Sequence, residues 1–440
     1  MGTASPTRST PRHGAIAAAL KLLGAALSLV VYVGFARVMS PAMFGELVVL
    51  LAAYAIASAV GCFGAAAVAL RFIAEAESQS RPDLAAGAAR FALGASLVAG
   101  TLAAGILALI VLIAGDSLLG MSTTAGLLAA ALTVPTVLIL ALAGILQGLH
   151  RVVLAELLVG LLRVVLLAVP VGVAWLAAQR MTAVEALSWN IFATVVALVA
   201  AAVAVAVVGR RILTVRPRYE VRPWFGFAAS FSVVLIAAGL AERVDLLMLS
   251  ALAGAEPTAI YGAGSRCAQV VIFVVNALGA TAAPRIAALA PDLRLGRGVA
   301  MEREMRHTAR LIAAVTTASL VATLLLGGVA LRMFGPIYEQ AHSALAILVT
   351  GQAVASLFGP GAVLASFTGE NRVVIAAVIA GMALNATLNL LLVPTIGIEG
   401  AAFGAAGSAV LVAVLLWLWA RHRYSISIGV VTFRLRGTGT

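Results

Sequence analysis

The sequence predicts an all-α integral membrane protein of about twelve transmembrane helices, built as two parallel six-helix repeats. Three observations carry that prediction: the length of the apolar runs, the side on which positive charge falls once those runs are threaded through a bilayer, and motifs that recur about 220 residues later. Composition agrees. A chain of 440 residues that is 63% hydrophobic and only 10% charged, with a mean hydropathy of +1.11, has lipid as its main solvent.

The first fourteen residues are polar and basic, and the run after them, 15–36, is too long for a signal-peptide core; it is expected to be an uncleaved first span. Further runs of about 20 or more predominantly apolar residues follow at 47–70, 91–114, 125–147, 152–178 and 186–208. The connector 209–223 is basic and broken by Pro217 and Pro223, which makes it the boundary between an amino-terminal bundle, 1–208, and a carboxy-terminal bundle with its tail, 224–440. The second bundle supplies spans at 224–249, 258–284, 308–331, 342–367, 373–393 and 398–420. The polar stretch from Pro291 to Arg310 contains Met301-Glu302-Arg303-Glu304-Met305-Arg306 and is expected to be a solvated or interfacial helix.

Threaded with the amino terminus inside, this pattern puts 23 of the 29 basic residues on the inner side. Only Arg37, Arg180 and Arg332 fall outside, and Arg163, Arg243 and Arg266 lie within spans. Lys and Arg beside span ends fix orientation, so the asymmetry supports both the number of crossings and cytoplasmic termini. Adding or losing one helix would scramble it. The net charge of +12 is explained by these loops, which removes the reason to expect nucleic-acid binding.

The chain also repeats itself. Gly148-Leu149-His150-Arg151-Val152-Val153-Leu154-Ala155 matches Gly369-Glu370-Asn371-Arg372-Val373-Val374-Ile375-Ala376, before the fifth and eleventh spans. Ser40-Pro41-Ala42-Met43-Phe44-Gly45 is echoed by Glu256-Pro257-Thr258-Ala259-Ile260-Tyr261-Gly262, after the first and seventh. Six crossings return a chain to its starting side, so the halves are parallel repeats.

No enzyme constellation is visible: there is no HExxH, CxxC, G-x-S-x-G or phosphate-cradling Gly-Lys-Ser/Thr sequence, and the five histidines are scattered, so neither catalysis nor a cofactor is expected. Cys62 and Cys267 both fall within predicted helices as packing residues, which offers no disulfide framework or metal cluster. What remains is a short set of intramembrane charges, which are costly in lipid and normally face a cavity or a partner.

Arg163 lies about a dozen residues into the fifth span, too deep for its side chain to reach either interface. Two readings stand: a guanidinium offered to an anionic substrate, its fork suited to phosphate, or a pair with Glu156, seven residues earlier on the same helical face. Glu242, Arg243 and Asp245 in the seventh span and Arg266 in the eighth sum to zero charge. Glu242 and Asp245, three apart, are expected to share a face and meet Arg266, either as a structural staple or as a substrate or ion site. Arg37 and Arg71 end the first two spans as interfacial anchors. Asn385 and Asn389, at i and i+4, read as glue to a neighbouring helix or as pore lining. Pro135, Pro170, Pro284, Pro360 and Pro394 offer kinks, with Pro284 and Pro360 placed where a helix could stop.

These residues resemble a known family. Ala36-Arg37-Val38-Met39-Ser40-Pro41-Ala42-Met43-Phe44-Gly45 resembles the aRxLgpexFG signature closing the first helix of polysaccharide flippases of the Wzx, or O-antigen, type, within the multidrug/oligosaccharidyl-lipid/polysaccharide (MOP) exporter superfamily. Gly64 to Ala74, with Arg71, is similar to the end of that family's second helix; Glu242-Arg243-Val244-Asp245 with Gly254 and Tyr261-Gly262 to its seventh-helix stretch; and Asn389 to Pro394 with Gly397 and Gly400-Ala401-Ala402 to its close.

The resemblance implies two six-helix bundles around a central cavity and alternating access that moves a polyprenyl-linked oligosaccharide to the outer leaflet for surface polysaccharide synthesis. It implies a cationic cavity for the pyrophosphate, with Arg163, Arg243, Arg266, Arg37 and Arg71 as candidate substrate contacts and Glu242 and Asp245 as candidate ion-coupling groups. The setting it implies is a bacterial inner membrane, with a glycan polymerase or other biosynthetic membrane proteins as partners besides the bilayer and the anionic glycan. Two alternatives share the architecture: a cation-coupled multidrug exporter and a lipid II flippase, the latter usually carrying two further helices.

Overall fold

In the computed structural model, the described residues are 11–118, 122–294 and 298–431; Arg8, Arg297, Arg434 and Arg436 of the inner-side charge count lie outside them. Among the described residues, eleven helical stretches are long and apolar enough to span a membrane. A bent pair, Pro336–Ser356 with Gly361–Thr368, turning by 50° at its break, is a twelfth if counted as one span. Among the described residues there is no β-strand.

The chain divides into two compact units, Met1–Gly239 and Leu240–Thr440. The division falls one helix beyond the connector at 209–223, and the first unit shows why. Trp224 is fully buried against Phe72 and Phe91, with ring centroids 6.3 and 5.6 Å apart. The helix Val221–Ala241 therefore docks its first turns on the first unit, and the connector is tied there by a 3.0 Å bond from the Arg218 N–H to the Asp83 carbonyl.

The first unit contains Pro11–Val38, Pro41–Cys62, Ala65–Ser78, Pro82–Leu118, Thr123–Gly148, Val152–Leu176 and Ala183–Val208. Side-chain size tells which face of each helix is inside. In Ala183–Val208, Ala193, Ala197 and Ala201 are buried while Val195, Val199, Val203 and Val207 are exposed. Small residues let neighbouring helices approach, and the β-branched stripe is left for lipid. A capping box of Thr182 and Glu185 starts this helix. Ser40 caps the next helix of the first pair, with Pro41 at its first position.

The expected second span, 47–70, is two helices instead of one. Phe63 and Gly64 both adopt left-handed conformations between Cys62 and Ala65. Gly64 has φ +62°, and a Cβ there would stand 2.7 Å from the Ala228 carbonyl oxygen, so both backbone angle and close approach demand glycine.

The second unit runs through Val244–Ala253, Ala255–Arg294, Val299–Arg332, the bent pair, Asn371–Ile396 and Ile398–Tyr424. Two expectations are corrected here. Met301 to Arg306 is not a separate surface helix: it is the first part of Val299–Arg332, with Met301 and Met305 buried against Trp417 and Ile426. Pro284 does not end its helix, which continues to Arg294, whereas Pro360 does sit at a break. There Gly359, at φ +85°, lies beneath the Ile428 carbonyl, and the Val430 N–H bonds the Leu357 carbonyl at 2.8 Å, so the segment after the last helix covers the bend.

Both echoes occupy matching places. Ser40-Pro41 and Glu256-Pro257 stand at helix starts, and the 148–155 and 369–376 motifs each make the turn between two helices.

Candidate functional site

Arg163 follows directly on a widened turn. Residues Glu156–Leu162 form a π-helix within the fifth span, and regular α-helix resumes at Arg163. In such a turn the bonds run to i+5, so seven residues no longer complete two turns and Glu156 and Arg163 leave their common face. The pair with Glu156, one of the two readings, is accordingly not formed: Arg163 makes no ion pair among the described residues. One guanidinium nitrogen, Nη2, donates instead to the Tyr54 hydroxyl at 3.2 Å and to Asn190 Oδ1 at 3.1 Å.

Those partners are themselves held. The Tyr54 and Thr136 hydroxyls lie 3.1 Å apart and share a hydrogen bond, so the Tyr54 oxygen that accepts from Arg163 is itself held. Thr194 donates to the Asn190 carbonyl at 2.7 Å and lies 3.5 Å from its Oδ1. Tyr54, Thr136, Asn190 and Thr194 are all buried, while Arg163 is half-buried. The span runs from Val152 to Leu176, which leaves Arg163 about 16 Å from its nearer end at about 1.5 Å per residue. The result is a mid-span guanidinium, held through one nitrogen by uncharged oxygens and keeping its charge uncompensated.

The seventh and eighth spans hold their charges differently. The helix stops at Ala241 and restarts at Val244, with the Arg243 N–H closing a tight turn onto the Leu240 carbonyl at 2.9 Å. That break separates Glu242 from Asp245, so the shared face expected of them does not exist. Glu242 is exposed and pairs with the adjacent Arg243 at 3.0 Å. Asp245 is buried, accepting from the Tyr261 hydroxyl and from the Leu246 N–H at 2.9 Å. Arg266 donates to Gln269 Oε1, one turn further on, at 2.8 Å.

Arg71 is exposed on Ala65–Ser78, its guanidinium carbon 4.8 Å from the Phe227 ring centroid and 5.3 Å from that of Phe72. Arg37 is exposed in the last turn of Pro11–Val38 and lines a cavity at the ends of the first and fifth spans. Asn385 and Asn389 are buried; the Asn389 amide donates to the Asn385 carbonyl and Oδ1 at 2.8 and 2.5 Å. Both press on Gly404 of the last helix, where a Cβ would meet Asn389 Nδ2 at 2.6 Å. The bonds of this pair run within their own helix, and the pair packs on the neighbouring one. A separate cavity of about 460 Å³ in the second unit is lined by Asn276, Gln352, Ser356, Pro360, Phe367 and Leu416 among others, and by none of the charged candidates. Cys62 and Cys267 are free thiols, and among the described residues no cluster of three or more metal-ligating side chains occurs.

Sequence reasoning missed Tyr54, Thr136 and Asn190 as the residues that position Arg163, and Tyr261 as the partner of Asp245. The available signal was polarity: Tyr54 and Asn190 interrupt apolar runs.

Comparison with known proteins follows the fold. The family model described as polysaccharide biosynthesis protein matches residues 12–290. Among solved structures, an inward-facing multidrug resistance MATE family transporter of the MOP superfamily superposes with a TM-score of 0.74 at 16% identity, covering 93% of this chain and 98% of that one. A MOP superfamily transporter from Pyrococcus furiosus, whose binding pocket is described as having reversed polarity, gives 0.61 at 15% identity with 93% of each chain covered. The lipid II flippase MurJ, in an inward closed conformation, gives 0.69 at 10% identity, covering 92% of this chain and 87% of that one. No curated protein sequence matches the chain. With its repeated six-helix plan and a family match over more than half its length, the chain belongs to the polysaccharide biosynthesis protein family and is a multi-pass membrane protein with the fold of the MOP superfamily.

Proposed function

We propose that the chain transports an anionic, lipid-linked oligosaccharide from the cytoplasmic to the outer leaflet of a bacterial inner membrane by alternating access, with both termini cytoplasmic. The observation that carries this reading is Arg163: a mid-span guanidinium fixed by Tyr54 and Asn190 rather than by a carboxylate. A cation kept uncompensated at that depth is costly unless an anion visits it. Its planar fork matches two phosphate oxygens at once, and the buried partners keep it from swinging to the interface.

Arg243, Arg266, Arg37 and Arg71 are proposed as further contacts along the path, and Glu242 and Asp245 as coupling groups. Membership of the polysaccharide biosynthesis family supports a glycan cargo, with lipid II as one alternative glycan, and a glycan polymerase or related membrane enzyme as partner. Deletion of the gene is expected to remove surface polysaccharide and to accumulate lipid-linked repeat units inside. Unchanged surface glycan would overturn the reading.

One observation favours a second reading, cation-coupled drug export: Asp245 is a buried carboxylate bonded to a tyrosine, the kind of group that can exchange a proton for a cationic drug. Resistance profiles of overexpressing cells separate the two, since a glycan flippase leaves them unaltered.

A further inference from the structure

The cavity of about 460 Å³ in the second unit lies where the bent pair turns by 50°, at Gly359 and Pro360, and is walled by the helices Ala255–Arg294 and Ile398–Tyr424. Interrupted backbone at membrane depth is tolerated where it lines a cavity, and broken helices of this kind build binding sites in transporters.

Two primary amides line it: Asn276 from Ala255–Arg294 and Gln352, midway along the bent pair. Neither makes a hydrogen bond among the described residues. Other span amides are committed, Asn190 to Arg163 and Asn389 to Asn385. Each amide offers two donors and an oxygen with two lone pairs, and such a group inside a span is costly without a partner. Ser366 donates to the Ala362 carbonyl at 2.9 Å, which leaves its oxygen able to accept. Phe367, 38% exposed, adds an aromatic wall.

No charged residue lines the cavity, so an ion would find nothing there to compensate it. The space also exceeds that of a single water more than about tenfold. A purely apolar ligand would leave both amides unpaired. A neutral ring with adjacent hydroxyls satisfies everything present: each amide donates to one hydroxyl and accepts from the next, while ring C–H groups lie on the phenyl face.

We propose that this cavity is a carbohydrate subsite for one neutral sugar ring, with Asn276 and Gln352 bonding its hydroxyls and Phe367 stacked on its C–H face. The choice of a sugar among polyhydroxylated ligands rests on the function proposed above, whereas the cavity and its uncommitted amides do not. A free sugar and a ring borne on a lipid offer the same chemistry.

The test is saturation-transfer-difference NMR on the purified full-length chain in lauryldimethylamine oxide micelles, since a maltoside detergent would itself present sugar rings. The probes are methyl and octyl glycosides of glucose, galactose, mannose and N-acetylglucosamine, with cyclohexanol as a ring lacking adjacent hydroxyls. Saturable transfer to the ring protons of at least one glycoside, absent with cyclohexanol, is expected. Asn276→Leu and Gln352→Leu break no bond within the chain and should each weaken binding about two- to tenfold, the value of a neutral hydrogen bond. Phe367→Ala, at an exposed position, should weaken it as well. Transfer with methyl glycosides shows that the free ring suffices; transfer with octyl glycosides alone identifies a lipid-borne ring. No transfer to any glycoside, equal transfer to cyclohexanol, or indifference to all three substitutions would overturn the proposal. A chain that restores surface polysaccharide to a deletion strain but binds no glycoside would lose this subsite and keep the flippase reading, and the opposite result would do the reverse.

Discussion

Replacing Arg163 by alanine separates a structural arginine from a substrate-binding one. The change removes the bonds to Tyr54 and Asn190, each worth about 1.5 kcal/mol at the lower end for a charged donor. The lower end applies because neither partner is orphaned: Tyr54 keeps Thr136 and Asn190 keeps Thr194. Against that loss of about 3 kcal/mol, removing a guanidinium from mid-span recovers about 2.5–3.5 kcal/mol by insertion scales. The terms offset, so Arg163→Ala should unfold within about 4 °C of the parent. Transport, followed as surface polysaccharide restored to a deletion strain, should fall at least about tenfold, as loss of one charge-assisted contact implies. Arg163→Lys, which keeps the charge without the fork, should fall in between. A variant that melts about 10 °C early, or one that stays fully active, would refute the argument.

Three further outcomes follow from the packing. Gly64→Ala combines a left-handed backbone costing about 1–2 kcal/mol with an overpacked contact on the Ala228 carbonyl, so its melting temperature should drop by several degrees; an unchanged melt would contradict the close approach described. Tyr261→Phe leaves the buried Asp245 carboxylate with the Leu246 N–H as its remaining bond and should cost about 1.5–3 kcal/mol. Adding Asp245→Asn should then cost much less than the sum of the single changes, which a double-mutant cycle of thermal unfolding measures. Glu156→Gln should leave both stability and transport unchanged, because the π-turn has taken Glu156 away from Arg163; reduced transport would show that the carboxylate acts on the arginine after all.

The number of spans was legible because a bilayer demands about 20 apolar residues in a row and charged loops mark each end. The breaks at Phe63-Gly64 and at Glu242-Arg243 were not, whereas Pro360 did mark a place where a helix could stop. The first lies inside a run whose hydropathy never falters, and a left-handed glycine leaves no mark on composition; the second carries charge, but charge within a span does not by itself mark a helix stop. Arg163 was picked out by its charge; the alternative reading, a pair with Glu156, rested on α-helical periodicity carried across a π-turn. The arginine's real partners stand 109 and 27 residues away on other helices, where local spacing carries no information. The Glu242 and Asp245 expectation failed for the same reason, a face drawn through a helix that stops. Asn385 and Asn389 do share a face, as i and i+4 residues on an unbroken helix must, and that face is buried on Gly404 of the last helix, though their bonds run within their own helix.

The two halves repeat their turns but not their chemistry. At the 221-residue offset that aligns Gly148 with Gly369, the counterpart of Arg163 is Leu384, in the middle of an apolar helix. The buried acid–phenol pair of Asp245 and Tyr261 belongs to the second half alone, since the residue 217 positions before Tyr261 is Phe44, which has no hydroxyl. Duplication thus gave the lineage a spare scaffold: one copy could acquire a cation and the other an acid without either change having to suit both places. A homodimer of six-helix chains could not have divided the labour in this way, because every substitution would have appeared twice.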